Sequence, residues 1–361
     1  MRKTKIIATI GPQSENPETI REMIKNGVNV FRFNIKHNTV EWHQDVINKV
    51  RSIAAEIGIS VAVLVDIPKS EMATLIPTAD FVALSYLKNH EELIELRKNL
   101  DNAGMTAKII AKIENGDAIK NLDLITDYCD GVMVARGDLG IEVPIEELAY
   151  WQKKIIEVSR EKSIPVIVAT QMLQSMTQNP TPTRAEATDV ANAVFDGTDA
   201  IMLSEETAIG QHPVEAVAAM NKIAEFNESV ADVKEIDKKN KDAAELLISA
   251  AIGMLENKEI KAAVIFSRSG KSVRLMSSFR KNIPILAITN NREILEILNL
   301  SYGVLPYFKE FQNERFEIDN PIFEEIKNRL GLVKGQLILV VHGNNWMSSG
   351  STSDISVKEL N

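Results

Sequence analysis

From its first residues the chain alternates short apolar runs with longer amphipathic stretches. Lys5–Ile10, Val28–Asn34, Val61–Asp66, Phe81–Tyr86, Lys108–Glu114, Gly131–Arg136, Pro165–Thr170 and Ala200–Ser204 are nearly continuous in Val, Ile and Ala. Strands covered on both faces read this way, whereas half-exposed strands alternate apolar with polar. Between them, apolar residues recur at helical spacing around 17–26, 40–57, 90–103, 117–127, 146–162 and 184–195, and again after Pro213. Eight consecutive β/α units predict a closed (β/α)8 TIM barrel rather than a doubly wound open sheet. The third unit is the exception, because only Ile67–Asp80 separates its strand from the next.

Residues 229–240 are charged and weakly periodic and read as a boundary, giving domains 1–228 and 229–361. An apolar-faced helix over about 242–255 follows. Four more strands are expected at Ala262–Phe266, Ile283–Ile288, Gly303–Tyr307 and Gln336–Val341, with helices near 272–279, 292–298 and 321–329. The second domain is therefore a smaller α/β unit with a mainly parallel sheet.

Charge narrows the class. With 41 Lys and Arg against 50 Asp and Glu, the net −9 should repel nucleic acid and anionic lipid. A single cysteine, Cys129, excludes an intrachain disulfide and fits a reducing compartment. No apolar run reaches the roughly 18–20 residues of a membrane span, and the apolar part of MRKTKIIATIGP is too short for a signal peptide. A cytoplasmic enzyme is expected, with no nucleic-acid or membrane partner.

In a barrel the active site gathers at the C-terminal ends of the strands. Those ends carry Arg32 and Asn34, Asp66, Ser85, Lys112 and Glu114, Arg136 to Asp138, Thr170, and Ser204 to Glu206. Any one of these has a plain reading as a cap or turn residue. Seven consecutive units sending polar groups to one rim outweigh that reading. Glu114 and Asp138 are carboxylates on adjacent strands that suit a shared Mg²⁺. Lys112 and Arg32 are fixed positive charges able to neutralise a transferring phosphoryl group and a developing enolate. Thr170 can order a water for proton delivery. The ARGDL turn at 135–139 brings backbone amides near a glycine that an anion can approach.

The stretches TKIIATIGP (4–12), IIAKIEN (109–115), DGVMVARGDLGIEVP (130–144), PVIVATQML (165–173) and NPTPTRAEATDVANAVFDGTDAIMLSEETA (179–208) resemble pyruvate kinases. PVEAV (213–217), FSRSGKSVRLMSSFR (266–280) and HGNNWMSSGST (342–352) extend the resemblance through the second domain. It implies phosphoryl transfer from phosphoenolpyruvate to ADP, giving pyruvate and ATP, in a homotetramer or homodimer with Mg²⁺ or Mn²⁺. Lys112 is then the catalytic lysine, and Glu114 and Asp138 are the divalent-metal ligands. The Gly137 and Asp138 amides receive the substrate carboxylate, Thr170 lies beside the enolate carbon, and Arg32 contacts the phosphoryl group. Asn34 and Asp66 belong to a monovalent-cation site. The loop Ser267, Arg268, Ser269, Gly270, Lys271 and Ser272 opens a helix and matches the place where some family members hold the phosphate of a sugar-phosphate effector, with 346–352 resembling the segment that closes over the sugar.

The chain departs from the family pattern in three places. Pyruvate kinases carry a mobile β-barrel lid after the third strand, and residues 67–80 leave no room for one. Lys36 and Ile67 stand where the family places oxygen-bearing side chains around K⁺, so K⁺ is expected to be dispensable, either with the Lys36 ammonium near Asp66 as its substitute or with Lys36 turned into solvent and the ion site lost. Glu205 stands in place of a glycine. Two rival functions follow from the lost lid: enolate chemistry such as oxaloacetate decarboxylation, and non-catalytic binding of a phosphate ligand through the second domain.

Overall fold

The computed structural model describes residues 2–236, 238, 242–310, 320–343 and 352–361. Eight parallel strands close into a barrel in sequence order: β1 (Lys5–Thr9), β2 (Val28–Asn34), β3 (Ala62–Ile67), β4 (Phe81–Leu84), β5 (Lys108–Ile113), β6 (Gly131–Ala135), β7 (Val166–Ala169) and β8 (Ala200–Leu203). Closure is made by β8 lying parallel to β1, with Ala200 opposite Lys5 and Leu203 opposite Ala8. The apolar runs are continuous because one face of each strand fills the barrel and the other meets the helices. Ile20, Met23, Val46, Ile47, Leu93, Leu96, Ile155, Val190 and Val217 line the helical side of that layer and are fully or almost fully buried.

Helix starts follow the local chemistry. Asn16, Thr39, Asn115 and Thr183 each accept a backbone N–H of the first turn, and Thr183 with Glu186 forms a reciprocal capping box. At the opposite end of the barrel from the strand C-termini, the Glu228 carboxylate accepts the Lys3 and Thr4 amides at 2.6 and 2.5 Å. Lys5 is buried beside this cluster. Burial, reinforced by Arg2, lowers its pKa to about 7 against the opposing pull of Glu228 and Asp199.

Between β3 and β4 the chain forms only a 3₁₀ turn, Ser70–Leu75. The ARGDL segment at 135–139, expected as a turn, instead opens a short helix, Arg136–Glu142, so β6 ends one residue earlier than expected.

The chain divides into two compact units, Met1–Lys234 and Glu235–Asn361. The second holds a five-stranded sheet in the order β11 (Val304–Phe308), β10 (Ile285–Thr289), β9 (Ile260–Phe266), β12 (Leu337–Gly343), β13 (Thr352–Glu359). The first four are parallel, and β13 runs antiparallel to β12 at one edge. The sequence reading missed β13. Of the segment expected to close over an effector, 346–351 lies outside the described residues and Thr352 begins β13.

Candidate active site

Alternation along β3 sends Asp66 and Ile67 to opposite faces. Asp66 is buried at the barrel mouth and collects three side-chain donors. Arg32 meets Oδ2 through Nη2 at 2.7 Å and Nε at 3.1 Å, Ser85 Oγ donates to Oδ1 at 2.9 Å, and Lys112 Nζ lies 3.2 Å from Oδ2. Burial opposes the carboxylate charge, but Arg32 and Lys112 with the Ser85 hydroxyl outweigh it and hold Asp66 below its ordinary value. Lys112 Nζ also donates to Ser85 Oγ at 2.7 Å and pairs with Glu114 Oε1 at 2.6 Å. Burial works against the ammonium, yet Asp66 and Glu114 together raise its pKa above that of a free lysine. Lys112 therefore stays charged.

The second Glu114 oxygen accepts the Tyr86 amide at 2.6 Å. Tyr86 sits at φ +60°, a left-handed conformation that is unusual for a bulky residue. Glu114 and Asp138 border one open cleft of about 600 Å³, lined also by Tyr86, Lys88, Asp117 and Glu142. Glu114 is buried and Asp138 exposed. Among the described residues no three His, Cys, Asp or Glu side chains gather into a ready-made metal cage. Two carboxylates on an open cleft fit a hard cation that completes its shell with substrate oxygens and water.

The expected monovalent-cation group is drawn differently. Lys36 is exposed and its ammonium donates to the Tyr86 hydroxyl at 2.8 Å, 4.4 Å above that ring, instead of lying on Asp66. Asn34 Oδ1 accepts the Lys36 amide at 3.2 Å. Ile67 is fully buried in the apolar layer outside the barrel, so residue 67 does not present its side chain to the rim, and its identity removes no oxygen from the mouth. The charges on Asp66 come from Arg32 and Lys112.

At the far side of the mouth, Thr170 and Gln171 follow β7 with φ of +70° and +54°. Thr170 Oγ1 donates to Ala169 O at 2.6 Å and accepts the Gly137 amide at 2.7 Å. The Gly137 N–H expected to receive a substrate carboxylate is thus already engaged. A Cβ at residue 137 would stand 3.3 Å from Thr170 Oγ1, so glycine permits this approach. Two features escaped the sequence reading. Arg136 is buried across the 170–172 turn, and Glu206, fully buried, accepts the Leu173 and Ser204 amides at 3.0 and 2.7 Å. Burial raises the Glu206 pKa against those backbone bonds. Glu205, by contrast, is exposed and accepts Gln174 Nε2 at 2.6 Å.

In the second unit, Ser267 Oγ accepts the Gly270 amide at 3.0 Å and Gly270 adopts φ +73° at the start of the helix Lys271–Ser278. That positive φ admits glycine without strain. The Lys271 ammonium is paired with Asp242, and Ser272 Oγ shares a 2.5 Å hydrogen bond with Thr352 Oγ1. Arg268 is exposed.

A closed eight-stranded parallel barrel with charged groups converging at its C-terminal rim defines a (β/α)8-barrel enzyme. The family model "Pyruvate kinase, barrel domain" matches residues 1–79 and 74–217, and "Pyruvate kinase, alpha/beta domain" matches 245–358. The chain belongs to the pyruvate kinase family, a family of phosphotransferases. It is 31% identical, over an alignment spanning 466 positions with gaps, to the pyruvate kinase of Sporosarcina psychrophila, covering 98% of this chain and 80% of that one. It is 33% identical over 447 residues to that of Thermococcus litoralis, covering 92% and 93%, and 29% identical over 468 to that of Buchnera aphidicola, covering 98% of both. The two matched pieces of the barrel model meet at 74–79, in the connection between β3 and β4.

Proposed function

We propose that residues 1–228 form a catalytic domain that transfers the phosphoryl group of phosphoenolpyruvate to ADP, in a short form of the family without the lid. The observation that carries this reading is the buried Lys112 ammonium held between Asp66, Ser85 and Glu114 at the barrel mouth. Glu114 and Asp138 would hold Mg²⁺ or Mn²⁺, which supplies a Lewis acid for the enolate and phosphoryl oxygens. Lys112 and Arg32 bear positive charge on the path of the transferring group, and Asp66 fixes both of them. As the bond from phosphorus to the enol oxygen breaks, negative charge builds on that oxygen, and a desolvated ammonium stabilises it without reorganising. Thr170 has one lone pair left to bind a water beside the enolate carbon. With the Gly137 N–H held by Thr170 Oγ1, the neighbouring Asp138 amide would receive the substrate carboxylate. The Ser267–Ser272 loop is read as an effector site for a sugar phosphate, and the chain as a cytoplasmic homo-oligomer that needs no K⁺.

A second reading rests on the short connection at 68–80. Without a cover, water competes for the phosphoryl group, and an enolate-forming activity such as decarboxylation of oxaloacetate needs only the metal and a proton donor. A coupled assay with phosphoenolpyruvate, ADP and Mg²⁺, run beside one with oxaloacetate, decides between them. Phosphoenolpyruvate-dependent ATP formation supports the first reading, and pyruvate from oxaloacetate alone replaces it with the second.

A further inference from the structure

Arg136 takes no part in the chemistry set out above, yet its guanidinium is buried beside the mouth at 7% exposure. Nη2 meets Thr170 O at 2.8 Å, Gln171 O at 3.2 Å and Met172 Sδ at 2.8 Å, while Nη1 pairs with Asp189 at 2.7 Å. The two carbonyls it ties belong to the consecutive residues in the left-handed region. Such a pair, one of them β-branched, persists only where its surroundings over-determine it. The next residue, Gly137, grips Thr170 from the other side through its hydroxyl.

We infer that Arg136 is a positioning residue for proton delivery to the enolate carbon. Residues 136 and 137 clamp Thr170 at both ends, Arg136 by the backbone and Gly137 by Oγ1. That fixes the direction of the free lone pair on Oγ1, and with it the water that the lone pair holds. In the step concerned, the C=C electron pair of the enolate takes a proton from that water to form the new C–H bond. The enolate oxygen becomes the ketone carbonyl, and the hydroxide left behind regains a proton from solvent. A planar guanidinium can bond two carbonyls and a carboxylate at once, and a lysine ammonium at the same place lacks that fork. An error of about 1 Å in such a placement costs on the order of 100-fold.

The inference rests on the proposed phosphoenolpyruvate chemistry, and two assays on the same preparations separate the two. The first is single-turnover ATP formation from phosphoenolpyruvate, ADP and Mg²⁺. The second is loss of C3 protium from pyruvate in D₂O with Mg²⁺ and ATP, followed by proton NMR. Arg136→Lys is expected to lose about 100-fold in exchange but less than ten-fold in phosphoryl transfer, with KM for phosphoenolpyruvate within three-fold. Equal losses in both assays, or wild-type exchange, overturn the positioning role while active wild-type protein keeps the reading intact. Wild-type protein silent in both assays removes the two together. If Arg136→Lys does not fold, Asp189→Asn decides: it releases the outer anchor of the guanidinium, and the same split is expected at about ten-fold. An equal loss in both assays there overturns the inference too.

Discussion

Lys112 Nζ lies 2.6 Å from Glu114 Oε1, although the two side chains leave β5 and its C-terminal end to do different work. In the proposed chemistry one would neutralise the transferring group and the other would hold a cation. They share a face because they are two residues apart, so the ammonium and a bound metal would compete for one carboxylate. Asp66 and Ser85 already hold the ammonium on its other side, so it would keep its place if a metal took the Glu114 oxygen.

Lys112→Met is therefore expected to bind Mn²⁺ as tightly as wild type or more tightly, while losing about 1000-fold in turnover. It should also unfold more readily, by about 3 kcal/mol, because Glu114 is left buried without its partner. Manganese titration by electron paramagnetic resonance, with kinetics and denaturant melts on the same sample, checks all three. Weaker Mn²⁺ binding would remove the competition argument, and near wild-type turnover would remove Lys112 from the chemistry.

The Asp66 arrangement predicts turnover that does not need K⁺. Its oxygens already face Arg32, Lys112 and Ser85. Rates in K⁺ and in tetramethylammonium should agree within two-fold. Because Lys36 rests on Tyr86, Lys36→Ser should remain independent of K⁺. Strong activation of either protein by K⁺ would show that an ion enters the cluster.

Lys5 gives a pH dependence of stability. Its folded pKa of about 7 lies below the ordinary lysine value, so between the two the unfolded chain binds a proton that the folded chain does not. Stability then rises with pH across that window, by at most about 1.4 kcal/mol per pH unit, and the contribution is flat below pH 7. Melting temperatures from pH 6 to 10 should show this slope in wild type and not in Lys5→Met. Parallel curves would mean that the amine stays charged when folded.

The loop at 267–272 should bind a phosphate group if it serves as an effector site. Fructose 1,6-bisphosphate as probe is expected to raise Tm by mass action on the folded state. Arg268→Glu, an exposed charge reversal, should abolish the shift. Asp242→Asn frees the Lys271 ammonium and should enlarge it. The same shift in all three proteins would take the loop out of consideration.

All eight barrel strands were legible because continuous Val, Ile and Ala runs report burial on both faces, and the rim residues followed from strand ends alone. The direction of Ile67 is legible too, from simple alternation, which turns residue 67 away from the mouth whatever oxygen its side chain carries. Other features depend on distance in space and leave no local mark. Nothing within β4 says that Ser85 bridges Asp66 and Lys112, and nothing in RGDLG says that Arg136 reaches the turn after β7. The helix Arg136–Glu142 was hidden by Gly137 and Gly140, which read as turn residues. β13 was hidden by its polar TSDISVKE sequence, which suits an edge strand half open to solvent.

The 3₁₀ turn at Ser70–Leu75 also bears on what sets the pace of a catalytic cycle. Where a cover must swing open to free the product, that motion is often the slowest event, and a thicker solvent slows it. A connection of that length between the third and fourth strands carries no such cover there. The cycle proposed for it would then be timed by bond making and breaking at the rim, and adding sucrose to raise the microviscosity should leave the maximal rate where it was.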